Sequence, residues 1–253
     1  MSSERTVGTL DGRTIVVTGS GSGIGKATAQ LAAAAGAYVV AVDIKNQDAT
    51  VSEIHAAGGE GEARQLDISD RESWKAIIDG VLAARGKIDG LANVAGIVSD
   101  ADALTTQTDE GWDKILGVNL RGAFLGMQSV IEPMLAAGAG KIVNVASTAG
   151  LIGMPNTLAY SASKGGVIAM SRQVAIEYAA RNIRVNVVAP GVTQTAMLGD
   201  ITEELLSAVT AATPTGVLGT AEDVGNTIVF LLSSLSDQIS GQVIPVDGAW
   251  TAQ

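Results

Sequence analysis

The sequence predicts a single α/β domain: a Rossmann-like, doubly wound parallel sheet of about seven strands flanked by helices. Three observations carry this prediction. Short Val/Ile-rich runs alternate with helical stretches along all 253 residues. The runs are continuous rather than alternating, as strands buried on both faces of a parallel sheet must be. Gly is abundant at 31 residues and aromatics make up only 3%, which suits tight strand-to-helix turns and close layer packing. A hydrophobic share of 47% over this length supports one well-buried core, so residues 1–253 read as one domain.

The elements follow in order. A strand at 14–18 enters a glycine cluster and a helix at 25–35. A second strand at 38–42 ends at Asp43 and precedes a helix at 49–57. The third strand, at 63–66, leads to a helix at 71–85, and the fourth, at 90–93, to a long helix at 110–135. Strands at 141–146 and 184–189 flank a helix at 157–181. Residues 192–218 are the least regular stretch and read as an excursion from the sheet, a candidate lid over a site. A helix at 221–232 and a strand at 242–246 complete the pattern. The βαβαβ order implies double winding.

Charge and composition narrow the function. A net charge of -10 disfavours a polyanionic partner, so no nucleic acid is expected. The chain has no Cys and one His, His55, so neither disulfides nor a catalytic zinc site is expected. The start, Met1-Ser2-Ser3-Glu4-Arg5, lacks an apolar signal core, and the longest uncharged stretch, 142–163, carries Asn144, Ser147, Thr148, Pro155 and Asn156. No membrane span and a cytoplasmic location are expected.

The first strand runs into Thr18-Gly19-Ser20-Gly21-Ser22-Gly23-Ile24-Gly25, where a helix opens. Glycines let the backbone turn tightly and approach a pyrophosphate, to which the helix start presents free N–H groups. The acid at the end of the next strand, Asp43, suits the two adenosine ribose hydroxyls and repels a 2′-phosphate. The glycine loop holds no Arg or Lys, and the only nearby cation, Lys45, competes with Asp43. The expected cofactor is NAD rather than NADP.

Tyr160 and Lys164 lie four residues apart, which places phenol and ammonium on one helix face, and Ser147 precedes the tyrosine by 13 residues. A free Tyr titrates near pH ~10, and a cation one turn away favours the phenolate. The Ser hydroxyl can hold a substrate oxygen. Singly, each residue has an ordinary structural explanation; together with a nucleotide loop they describe hydride-transfer machinery.

Along its whole length the chain resembles the short-chain dehydrogenase/reductase family. The segment 18–25 is similar to the family's Thr-Gly-x-x-x-Gly-x-Gly loop, which implies nucleotide contacts from Gly19, Ser22, Gly23, Ile24 and Gly25. Asp67 and Ile68 fall at the adenine-contacting position. Asn93-Val94-Ala95-Gly96 resembles Asn-Asn-Ala-Gly with Val94 in place of the second Asn, implying roles for Asn93, Ala95 and Gly96 beside the cofactor. Pro190-Gly191-Val192-Thr193-Gln194-Thr195 resembles the nicotinamide-side loop, where Thr193 and Thr195 hold the carboxamide. The resemblance further implies that Tyr160 is the acid–base group and that Ser147 binds the substrate oxygen. Lys164 bonds the nicotinamide ribose, and Asn119 holds a water leading from Lys164 to solvent.

The resemblance also implies a homotetramer, with the helices at 110–135 and 157–181 at one interface; Phe124, Met127, Met170 and Ile176 suit it and suit a monomer core equally. The tail, ending in Gln253, resembles those whose terminal carboxylate helps hold a structural Mg2+.

The segments expected to line the substrate pocket carry no charge: 96–99, 149–158 and 192–199. They offer Val98, Leu151, Met154 and Val192, with Met197 and Leu198 beyond, and the polar Asn156 and Gln194. No Arg or Lys is present to clamp a carboxylate or phosphate. Asp100, Asp102, Asp200, Glu203 and Glu204 would form an acidic rim. The expected substrate is a neutral, mostly apolar secondary alcohol or ketone, with an amino alcohol tolerated. Two alternatives stay open: a 3-oxoacyl-thioester reductase, and a non-catalytic NAD-sensing protein on the same fold.

Overall fold

The computed structural model describes residues 9–98, 102–195 and 202–253. Seven parallel strands form one sheet: β1 (Thr14–Thr18), β2 (Tyr38–Asp43), β3 (Glu60–Gln65), β4 (Gly90–Asn93), β5 (Gly140–Val145), β6 (Ile183–Pro190) and β7 (Val243–Val246). Their spatial order is β3-β2-β1-β4-β5-β6-β7. The winding reverses between β1 and β4, so a crevice opens beyond the carboxyl ends of those two strands, where doubly wound sheets hold ligands.

Helices α1 (Gly23–Ala34), α2 (Gln47–Ala56) and α8 (Ala221–Leu232) cover one face. Beneath them Leu10, Ile15, Val17, Ala29, Ile228 and Leu232 form one buried cluster. Helices α3 (Arg71–Arg85), α4 (Asp109–Leu116), α5 (Gly122–Ala137) and α6 (Leu158–Tyr178) belong to the other face. Trp74, Leu91, Leu125, Met134 and Ile142 pack there. Among the described residues, no helix is long and apolar enough to cross a membrane.

Three elements differ from expectation. β3 begins at Glu60 rather than 63, because backbone pairing with β2 draws all six residues, EGEARQ, into the sheet. Charged residues on such an edge strand discourage pairing with other chains, and they hide it from a search for apolar runs. The long helix expected at 110–135 is α4 and α5 joined by a π-turn over Gly117–Arg121. One inserted residue scarcely disturbs the apolar spacing, so periodicity reads straight through it. The excursion at 192–218 contains a helix, α7 (Glu203–Ala212), whose N-terminus is capped by the Thr202 hydroxyl accepting from Leu205 N at 3.2 Å. Glu203 and Glu204 are its first turn, where negative charge meets the positive end of the helix. Its ends are pinned together by a bridge between Thr193 and Gly219.

Of the residues weighed for a subunit interface, Met127 is buried in the core, whereas Ile176 is 80% exposed.

Candidate active site

At the end of β1, Thr18 Oγ1 accepts hydrogen bonds from Val94 N at 2.9 Å and Ala95 N at 3.1 Å. This hydroxyl sets the spacing of the two strand ends that frame the crevice. The glycine loop leaves no room for side chains. A Cβ on Gly21 would lie 2.1 Å from Lys45 O, and one on Gly25 would lie 2.1 Å from Gly19 O. Ser22 stands extended before α1 and gives it no side-chain cap. The first-turn N–H groups are thus left to a ligand's oxygen atoms. Ser20 Oγ is buried without a partner. This tight cradle at an uncapped helix start fits a dinucleotide pyrophosphate.

Asp43 is oriented toward the loop. Its Oδ2 accepts from Gly21 N at 2.9 Å, and its Oδ1 accepts from Ile44 N at 2.6 Å and Lys45 N at 3.2 Å. Oδ2, with a single donor, keeps capacity for a further one. Asp67 folds back on Ser69, accepting from its amide at 2.9 Å and its hydroxyl at 2.7 Å. Ile68 turns its side chain into the core, where a Cβ on Gly122 would meet it at 2.7 Å, so only its backbone remains for an adenine. The Asn93 amide likewise faces inward, donating to Ala123 O at 3.2 Å and Asn144 Oδ1 at 2.8 Å. It ties β4 to α5 and β5 and serves the crevice through the turn that follows it.

The catalytic candidates converge beside this crevice. Ser147 follows β5, and its hydroxyl accepts from Ala149 N at 3.2 Å and hydrogen-bonds the Tyr160 phenol. Lys164 is buried, with Nζ 5.6 Å from the Tyr160 ring centroid and donating to Val145 O at 2.9 Å. Burial pushes its pKa down to about 8. The Tyr160 phenol moves the other way: burial raises its pKa, and the Ser147 hydrogen bond opposes that rise. The expectation that Lys164 draws the phenol downward therefore yields, in the protein alone, to desolvation of the phenolate.

The Lys164 shift has a testable sign. Its folded pKa lies below the unfolded value, so between pH 8 and 10.5 the unfolded chain holds a proton that the folded chain has lost. Stability from this group rises with pH through that window. Lys164→Met is expected to be more stable than wild type at pH 7, with the gap narrowing by pH 10; denaturant midpoints at both pH values check this. A gap independent of pH would sink it.

Asn119 sits in the π-turn, 2% exposed. Its amide grips the loop after β4, accepting from Ile97 N at 2.8 Å and donating to Ile97 O at 2.9 Å and Ser163 Oγ at 3.2 Å. Both protons of its amide are thus spent on protein, while Oδ1 keeps one lone pair. Gly96 lets this loop come close: a Cβ there would be 3.2 Å from Lys164 Nζ.

Tyr160 and Ser147 open into a cavity of about 240 Å³ whose apolar walls include Val98, Met154 and Val192. Pro190, Gly191, Thr193 and Thr195 border it, and Asn156, held at φ 58, supplies a polar edge. Leu151 is exposed beyond the cavity, and Gln194 uses its backbone N–H to bond Gly219 O at 2.9 Å. Met197, Leu198, Ser99, Asp100 and Asp200 lie outside the described residues. Asp102 is no rim residue: it is 1% exposed and borders the cavity from within. Its carboxylate accepts from Ala159 N at 2.7 Å and Tyr160 N at 2.9 Å. No local signal announces this contact across 57 residues of chain.

The structure gives no support to a structural Mg2+ at Gln253. The residue is exposed, and no group of three or more His, Cys, Asp or Glu side chains gathers among the described residues.

A family model described as enoyl-(acyl carrier protein) reductase matches residues 19–251. The chain is 42% identical to a 3-oxoacyl-[acyl-carrier-protein] reductase of Thermotoga maritima, covering 94% of this chain and 98% of that protein. It is 37% identical to a cyclohexanol dehydrogenase of Acinetobacter sp., covering 96% and 97%. A gluconate 5-dehydrogenase from Burkholderia cenocepacia, solved with NADP and tartrate, superposes with a TM-score of 0.93 at 31% identity, covering 97% and 98%.

Proposed function

The chain belongs to the short-chain dehydrogenase/reductase family, and from that premise we propose that it interconverts a neutral, mostly apolar secondary alcohol and its ketone using NAD. The observation that carries this reading is the Tyr160 phenol, bonded to Ser147, facing an apolar cavity beside the nucleotide cradle. When bound, the nicotinamide supplies the hydride acceptor or donor. Tyr160 Oη takes the proton of the alcohol hydroxyl during oxidation and returns one to the ketone oxygen during reduction. The Ser147 hydroxyl donates to that same oxygen and stabilises the charge developing on it. Lys164, held by Val145 O, places a cation behind the phenol while it stays protonated.

The substrate class follows from what the cavity offers. Among the described residues that line it, Lys164 is the only cation, and its ammonium is already bonded to backbone. Asp102 is bonded to helix amides. A carboxylate or phosphate on the substrate would enter without a partner, at a cost of several kcal/mol. The related cyclohexanol dehydrogenase supports a compact alicyclic alcohol.

A second reading, 3-oxoacyl-thioester reduction, draws on the 42% identical Thermotoga maritima relative. Against it stand the net charge of -10, which repels an acidic carrier protein, and Asp43, which repels the 2′-phosphate of NADPH. Absorbance at the NADH band decides between the readings, with NAD+ or NADP+ against cyclic, aliphatic and aryl secondary alcohols, and NADH or NADPH against a 3-oxoacyl thioester. Turnover of NAD+ with an alcohol supports the first reading; turnover confined to NADPH and the thioester overturns it.

Asp43→Ala tests the cofactor preference. Losing charged hydrogen bonds of ~1.5–3 kcal/mol is expected to lower kcat/KM for NAD+ by about 10- to 100-fold while raising it for NADP+. Wild-type protein that already favours NADP+ would refute the assignment.

A further inference from the structure

The first turn of α6 carries the catalytic tyrosine, yet its own N-cap does not hold it: Thr157 makes no side-chain cap bond. Three successive N–H groups of that turn are instead satisfied by one distant residue. Asp102 O accepts from Leu158 N at 2.8 Å, and the Asp102 carboxylate accepts from Ala159 N and Tyr160 N. The charge lies at the positive end of a 21-residue helix, where it is favoured. The other side of the Tyr160 backbone is held too. Its carbonyl accepts from Ser163 Oγ at 2.7 Å, and that hydroxyl accepts from Asn119, which grips Ile97. Ile97 and Asp102 both follow β4, so Tyr160 is fastened by its N–H and its C=O to the region that forms one wall of the substrate cavity.

We propose that Asp102 is a positioning residue for the reaction: by bonding the amides of Ala159 and Tyr160 it fixes the phenol against Ser147 and the cavity wall. The proposal rests on the dehydrogenase reading of the site but goes beyond it, because nothing in the acid–base chemistry itself requires a carboxylate there. A phenol whose backbone is anchored at both peptide bonds has little freedom to leave the proton-transfer line, and a displacement of about 1 Å in such a group costs about 100-fold in rate. The anchor does not touch the nucleotide cradle, which is built on the loop at 18–25 and on Asp43.

The experiment compares wild type, Asp102→Ala and Asp102→Asn as full-length proteins. Three readouts are taken. These are hydrogen exchange at the start of α6, the NAD+ dissociation constant by calorimetry, and kcat per nucleotide-binding site on the alcohol that wild type oxidises, with its primary deuterium isotope effect. Asp102→Ala is expected to speed exchange at 158–160 by about tenfold or more, since the cap is lost. Its kcat is expected to fall by about 10- to 100-fold with NAD+ affinity unchanged and a larger isotope effect. Asp102→Asn, which keeps one carbonyl acceptor, is expected to lie between. Normalising to nucleotide-binding sites removes any loss from misfolded protein. Unchanged exchange overturns the proposal, as does faster exchange with kcat and isotope effect at wild-type values; Asp102 is then a helix cap only. Wild-type protein inert toward every alcohol and ketone instead overturns the dehydrogenase reading, and the positioning role falls with it.

Discussion

Tyr160→Phe is expected to lower kcat by about 10²- to 10⁴-fold while leaving NAD+ binding intact, because it removes one oxygen and the whole of the acid–base function. No neighbour can take over. Lys164 Nζ is bonded to Val145 O and sits 5.6 Å from the ring centroid. The Ser147 hydroxyl has no base behind it once the phenol is gone, and the cavity walls are apolar. NADH formation measured beside calorimetric titration with NAD+ separates chemistry from binding. A variant that kept wild-type turnover would remove Tyr160 from the reaction and shift weight to the NAD-sensing alternative.

Gly25→Ala is expected to weaken NAD+ binding by about 10- to 100-fold, the scale of lost hydrogen bonds to a charged pyrophosphate, ~1.5–3 kcal/mol. Its Cβ would fall 2.1 Å from Gly19 O and 2.4 Å from Gly19 C, both backbone atoms of the phosphate loop. Neither atom belongs to a flexible side chain, so the loop or the first turn of α1 must move, and the N–H groups aimed at the pyrophosphate move with it. Overpacking of this kind also costs stability, about 1–3 kcal/mol. Gly80→Ala is the control: it lies inside α3 with nothing within 4 Å of its Cβ, and there the same change removes unfolded-chain freedom and is expected to stabilise. Calorimetry and thermal unfolding of the two variants test the pair; equal NAD+ affinity in Gly25→Ala would mean the loop is not the phosphate site.

Much of this molecule is legible along the chain because the relevant forces are local. β1, α3 and β4 occupy the residues expected of them, since apolar runs and helical spacing are properties of neighbours. The same reasoning stops where an element is held by its partner. β3 is a strand because β2 offers it hydrogen bonds, not because EGEARQ is apolar. The helix α7 in the excursion has a cap at Thr202 and acids in its first turn, a local signal set within an otherwise irregular stretch.

The candidate site divides the same way. The sequence by itself determined the parts whose geometry is set within one turn: the glycine loop leading into a helix, and Tyr160 and Lys164 one turn apart. Only the tertiary structure decided what joins distant segments. It turned the Asn93 amide toward α5, closed Asn119 onto Ile97 and Ser163, and buried Asp102 beneath the helix that carries Tyr160. It also decided the direction in which the phenol titrates, because desolvation depends on everything packed around a group. Spacing along a helix can bring a cation near a phenol; only the completed fold sets how much water is left to either.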